Sequence, residues 1–186
     1  MAGYVALLRG INVGGKNLIR MTALKACFEE NGFECVATYI QSGNVLFESR
    51  ETSAPSLTRR IEAMLAGTFD YRASVVLRTH RQMREIVTRA PAGFGTKAPL
   101  FRYDVIFLKP PLTAKAAIRD VPAKQGVDVA HAGQGVLYFS RLISAATQSQ
   151  LSRLVSLPIY QNMTIRNWNT TTKLFALMEA AGNRDS

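Results

Sequence analysis

Hydrophobic positions along this chain switch between a period of two and a period near 3.6, and the switches mark out its elements. Tyr4–Leu8 is a short apolar strand. Met21, Leu24, Cys27 and Phe28 then recur at helical spacing and stop before Gly32, a residue suited to end a helix. Cys35–Ile40 and Asn44–Glu48 read as strands joined around Ser42-Gly43, a hairpin-sized turn. Leu57, Ile61, Met64 and Leu65 predict a second helix, expected to stop at Gly67, and Ala73–Arg78 a fourth strand. The order is βαββαβ.

Thr79 is placed to cap a helix carrying Met83, Ile86, Val87 and Ala90, which Pro91 ends. After a stretch rich in Gly and Pro the pattern returns. It runs strand Arg102–Leu108, helix Thr113–Arg119, strand Val127–His131, turn Ala132–Gly135 and strand Val136–Ser140. A helix with Leu151, Leu154 and Val155, a strand Gln161–Arg166 and a closing helix with Leu174, Leu177, Met178 and Ala181 complete it. The expected class is α+β: a tandem pair of ferredoxin-like βαββαβ subdomains with mainly antiparallel sheets and an extra C-terminal helix. Residues 1–90 form the first subdomain with a linker helix, 91–101 the linker, and 102–186 the second subdomain with the C-terminal helix. In such a unit the loop after the first strand and the turn after the second share one end of the sheet. Residues 9–20 and 41–44 are therefore expected to converge.

Composition adds little until charge is considered. With 47% apolar and 19% charged residues, the chain has the balance of a globular protein rather than a disordered one. No apolar run approaches the roughly 20 residues of a membrane span, and Tyr4–Leu8 lacks the basic lead-in of a signal peptide. A cytoplasmic protein without membrane attachment is expected. Cys27 and Cys35 read as buried small hydrophobes, and neither thiol has ligand spacing to His80 or His131. No metal and no cofactor are expected.

The net charge of +10 is unevenly spread. Residues 1–28 contain no acid but carry Arg9, Lys16, Arg20 and Lys25; residues 129–178 are also acid-free and include Arg141, Arg153, Arg166 and Lys173. Such stretches make a positive field that draws in phosphate-bearing partners.

Polar residues beside glycines then point to where a ligand would sit. Gly10–Asn17 spells G-x-x-x-x-G-K-N after a strand and before a helix, close to the phosphate-cradling loop of nucleoside triphosphatases. Asn17 stands where that loop needs a magnesium-binding hydroxyl, and no later strand ends in an aspartate for the metal, which argues against the triphosphatase. The weaker expectation is an anion held by Arg9, Lys16 and the amides around Gly14-Gly15. Asn12, Asn17, Gln41, Ser42 and Asn44 would add directional hydrogen bonds. Arg166-Asn167-Trp168-Asn169, followed by Lys173, holds the single tryptophan, which either stacks on a base or sugar or plugs the interface between the halves. Asn169 or Thr170 would cap the last helix. No serine or cysteine has a base nearby and no carboxylates pair at useful spacing, so the catalytic residues are unknown.

Leu7–Asn17 (LLRGINVGGKN), Thr38–Phe47 (TYIQSGNVLF) and Thr164–Leu174 (TIRNWNTTTKL) together resemble the bacterial domain-of-unknown-function 1697 family. The resemblance spans nearly the whole chain. It implies a tandem of ferredoxin-like subdomains and supplies no activity, so no catalytic residue carries over. The function expected is binding of a phosphate-bearing ligand, RNA, DNA or a phosphorylated small molecule, through Arg, Lys, Asn and Gln loops. An enzyme acting on a small anionic metabolite and a protein-partner module are the alternatives.

Overall fold

The computed structural model describes residues 1–12, 18–69 and 72–182. It is an α+β protein with two four-stranded antiparallel sheets and a C-terminal helix. The chain divides into two compact units. One comprises residues 84–173; the other comprises the first 83 residues and the stretch from Leu174 onward. Where the sequence suggests a linker at 91–101, the chain runs through turns over 92–100 and enters a strand at Phe101, all inside the second unit.

In the first unit, β1 (Ala2–Arg9) lies between β3 (Asn44–Ser49) and β4 (Ser74–Thr79), with β2 (Glu34–Tyr39) at the edge beside β3. All three pairings are antiparallel. Tyr4, Ala6, Leu8, Phe47, Val75 and Leu77 share a core with helices α1 (Met21–Glu30) and α2 (Ala54–Phe69). Phe28 lies at its centre, fully buried between the rings of Phe33 and Phe47 at 5.3 and 5.4 Å. Truncating a buried ring of this kind costs about 3–5 kcal/mol.

Gly32 ends α1 as its sequence position suggests. Its φ is +77°, its amide donates to Glu29 O, and Phe33 N donates back to Phe28 O. The Phe28–Phe33 ring contact seals this Schellman turn. Gly67 does not stop α2, which runs on to Phe69; a glycine stop works through a left-handed backbone, and Gly67 is not among the positive-φ glycines. Cys27 is buried, but Cys35 is exposed, because the β2–β3 register is irregular between Glu34 and Ala37 and Cys35 sits there at φ +51°.

Helix α3 (His80–Thr88) follows β4 directly. Thr79 and Gln82 close a capping box: Gln82 N donates to Thr79 Oγ1, and Thr79 N to Gln82 Oε1.

The second unit has the strand order β6-β7-β5-β8, again antiparallel throughout, from β5 (Phe101–Leu108), β6 (Asp128–Ala132), β7 (Val136–Leu142) and β8 (Met163–Asn167). Ile106, Leu108, Leu137, Phe139 and Met163 pack with Ala117 of α4 (Ala114–Asp120) and Leu151 and Leu154 of α5 (Leu151–Leu154). The helix expected around Leu151 is only this one turn, flanked by 3-10 turns at Ile143–Gln148 and Pro158–Asn162. Buried Asp128 ties that irregular stretch to the segment before β6 by accepting the amides of Gln150 and Lys124.

Helix α6 (Trp168–Gly182) closes the described chain. Asn167, rather than Asn169 or Thr170, caps it: its Oδ1 accepts Thr170 N at 2.7 Å, at an earlier position than the sequence suggests.

Candidate functional site

The loop after β1 and the turn after β2 meet. Asn12, at φ +53°, donates through Nδ2 to Ile19 O and Gln41 O and accepts Ile19 N on Oδ1. Leu8 N donates to Gly43 O at 2.8 Å. Gly43 is left-handed at φ +73° and lies so close to Ile11 that a Cβ would stand 2.6 Å from its Cδ1. One asparagine side chain thus ties both ends of its own loop to the hairpin turn.

Asn44 is buried and likewise spends its amide inside the protein, on Tyr39 O and Ser42 Oγ. Gln41 is exposed, and Arg9 and Ser42 are half-buried. Lys16 and Asn17, with the glycine pair between them and Asn12, lie outside the described residues.

Beside this junction runs an open groove of about 530 Å³ lined by Asn12, Leu18, Arg20, Met21, Thr22 and Gln41. Arg20, Met21 and Thr22 are the entry to α1. Among the described residues no side chain caps that entry, where Arg20 stands as N-cap, and no acid occupies its first turn. The sheet context is not that of a triphosphatase loop, because β1 has antiparallel neighbours on both sides.

The second group of expected site residues lies in the second unit, and its members separate by strand parity. Arg166 is buried; its Nη1 donates to Thr164 Oγ1 and Ile165 O, and desolvation lowers its pKa to about 10. It pairs in register with Val105, whereas Asn167 pairs with Asp104 and faces the opposite side. The first unit repeats this feature at a position the sequence did not single out. Arg78 pairs with Val5, is buried, donates to Leu77 O, and is also lowered to about 10 by desolvation.

Asn167, Trp168 and Asn169 do come together, along one polar cleft of about 330 Å³. Trp168 is half-buried, set edge-on to Phe94 at 5.1 Å, and Gly95 lies against it so closely that a Cβ would meet Nε1 at 2.3 Å. Phe94 also contacts Tyr103 and Tyr138. The tryptophan therefore anchors the turns that follow α3. Lys173 lies on α6, outside this cleft.

Sequence reading passed over the charged wall of this cleft. Asp104 is buried and pairs with Arg141, Nη2 to Oδ2 at 3.2 Å, while Arg102 stands directly across from Arg141 in the β5–β7 ladder. Burial raises the Asp104 carboxyl above its ordinary value, and Arg141 and Arg102 pull it partly back. The available signal was one acid inside the apolar run of β5.

A third cavity, about 360 Å³, lies in the first unit and is lined by Cys35, Glu48, His80 and Met178 among others. His80 bonds Glu179 through Nε2 and stacks on Phe175. Among the described residues no group of three or more His, Cys, Asp or Glu could hold a metal ion. Also among them, no helix is long and apolar enough to cross a membrane.

Two antiparallel four-stranded sheets with loop-borne polar residues define the class of molecule. Within it, the chain belongs to the family described as protein of unknown function (DUF1697), whose model matches residues 1–138. A solved structure, that of the conserved bacterial protein SP0830 from Streptococcus pneumoniae, is similar over 96% of this chain and 99% of its own, at 26% identity and a TM-score of 0.82. Among curated proteins none matches.

Proposed function

We propose that this chain is a cytoplasmic binding protein for a phosphate-bearing ligand, a nucleic acid or nucleotide, held at the loop pair of its first unit. In this reading the two units are a tandem of ferredoxin-like folds, the second repeating the strand order of the first.

The observation that carries the proposal is the open entry of α1 beside the groove. A helix start presents unpaired amides and the positive end of the dipole, a ready site for phosphate. Here that start has no side-chain cap among the described residues and no acid in its first turn, and it shares the groove with Arg20 and Gln41. The absence of Asp and Glu from residues 1–28 keeps competing carboxylates of that segment away. Exposed Leu18, on the groove wall, offers apolar surface to a sugar or base. Arg9 and Lys16 would add charge, and Asn12 shapes the site rather than contacting the ligand.

The test is binding of a short labelled RNA, followed by anisotropy between roughly 50 and 200 mM salt, with a mononucleotide as competitor. Affinity should fall steeply with salt because neutralised phosphates release counterions. Arg20→Ala should weaken binding about tenfold, as expected for one lost charged hydrogen bond, with little change in the thermal midpoint. A flat salt response, or undiminished binding by Arg20→Ala, overturns the proposal.

A further inference from the structure

The cleft of the second unit has a wall chemistry different from that of the loop site. Its charged members are Asp104, Arg141 and Arg102; its flat members are Trp168, Phe101 and Tyr103. Asp104 is 6% exposed, and although Arg141 stands 3.2 Å away, Oδ2 accepts no well-directed hydrogen bond. Arg141 Nε, also buried, donates to nothing among the described residues. Buried polar atoms are nearly always satisfied, so an acceptor and a donor without a directed hydrogen bond, in two residues that line one cleft, call for an explanation.

The leftover groups specify a ligand. A carboxylate has two acceptor oxygens and is best matched by two N–H donors side by side. Beside it, guanidinium groups ask for an acceptor next to those donors. The aromatic side chains ask for a flat ring. Among the nucleobases only guanine carries adjacent donors, N1–H and the 2-amino group, with the O6 acceptor next to N1. Adenine and cytosine each place a ring-nitrogen acceptor beside their amino group, and uracil has one N–H between two carbonyls. A cleft of about 330 Å³ sits at the lower end of the range of small-ligand sites and suits one such heterocycle.

We infer that this cleft binds the guanine ring of a nucleoside or nucleotide, with Asp104 accepting from N1–H and the 2-amino group, Arg141 and Arg102 facing O6, and Trp168 lying against the ring. Reading a base edge by hydrogen bonds while an aromatic side chain covers its face is a general way of selecting one base. The inference does not depend on the loop site of the first unit, since the base alone carries all of these contacts.

Trp168 is the single tryptophan of the chain, so its fluorescence reports directly on this cleft. Guanosine should change that fluorescence saturably, and inosine, which lacks the 2-amino group, should bind about tenfold more weakly. Adenosine and cytidine should give no saturable change. In Asp104→Asn one acceptor becomes a donor, so guanosine should lose at least about tenfold while xanthosine, with a carbonyl at position 2, gains. Equal binding of guanosine and inosine, no saturable guanosine signal, or a folded Asp104→Asn variant that keeps its preference for guanosine over xanthosine would each overturn the inference. If that variant does not fold, the comparison of guanosine with inosine on the unaltered chain decides. Because guanosine carries no phosphate, its failure leaves the RNA result on the first unit unaffected, and the reverse also holds.

Discussion

Asn12 does a job that only a side-chain amide can do, because it must donate and accept at once. Its Nδ2 serves two carbonyls, of Ile19 and Gln41, while Oδ1 receives the Ile19 amide. Asn12→Asp keeps the shape and the acceptor but turns an oxygen toward two carbonyl oxygens, so repulsion replaces two hydrogen bonds. Asn12→Ala merely deletes them. A hydrogen bond is worth about 0.5–1.5 kcal/mol net, and the φ of +53° adds a backbone cost for alanine. Asn12→Ala should therefore lose about 1–3 kcal/mol in chemical denaturation, and Asn12→Asp at least as much at neutral pH. On acidification the Asp variant should recover relative to Ala as its carboxyl protonates and regains a donor. An Asp variant as stable as the parent at neutral pH would show that the tie is not what holds the loop to the turn.

Among the elements, the two helix glycines of the first unit separate local pattern from local geometry. Both follow apolar helical runs, and from sequence both read as stops. Gly32 is left-handed with φ +77°, whereas Gly67 lies inside α2 with open space for 4 Å around the place a Cβ would take. The same substitution should then act with opposite sign. Gly32→Ala should destabilise by about 1 kcal/mol because alanine resists the left-handed region. Gly67→Ala should stabilise by about 0.5–1 kcal/mol by reducing the entropy of the unfolded chain. Paired thermal melts check this, and matching signs would refute it. The long periodic elements were legible from sequence because periodicity records burial: β1, α1 and β5 all fall close to where their apolar residues place them. What escaped was set by non-local contacts. The stretch between β7 and β8 breaks into short turns where buried Asp128 draws in the Gln150 amide from 22 positions away, on the same Oδ2 that accepts the nearby Lys124 amide. Parity along β8 could have separated Arg166 from Asn167, since neighbours on a strand face opposite sides. Asp104 and Arg141 could not have been paired without the strand register, being 37 positions apart in sequence and diagonal neighbours across β5 and β7.

At the scale of the molecule, the chain leaves its first unit after Met83 and returns to it at Leu174, through the middle of α6. The first unit is thus completed by the last part of the described chain. Leu174 is fully buried and Met178 nearly so, while Phe175 stacks on His80 and Glu179 bonds it. A chain ending at Lys173 loses all four. Removing buried Leu or Met side chains costs about 2–5 kcal/mol each, against a total of about 5–15 kcal/mol for a typical domain. Such a truncation should melt well below the full chain or fail to fold cooperatively, and Leu174→Ala alone should cost about 2–5 kcal/mol. His80→Gln, which removes only the imidazole of a half-exposed pair, should cost about 1 kcal/mol or less. The order of the three, read from thermal melts, distinguishes burial from the His80–Glu179 hydrogen bond as the reason for the chain's return. If His80→Gln proved as damaging as Leu174→Ala, the polar bond rather than the apolar face of α6 would be what fastens the helix to the first unit.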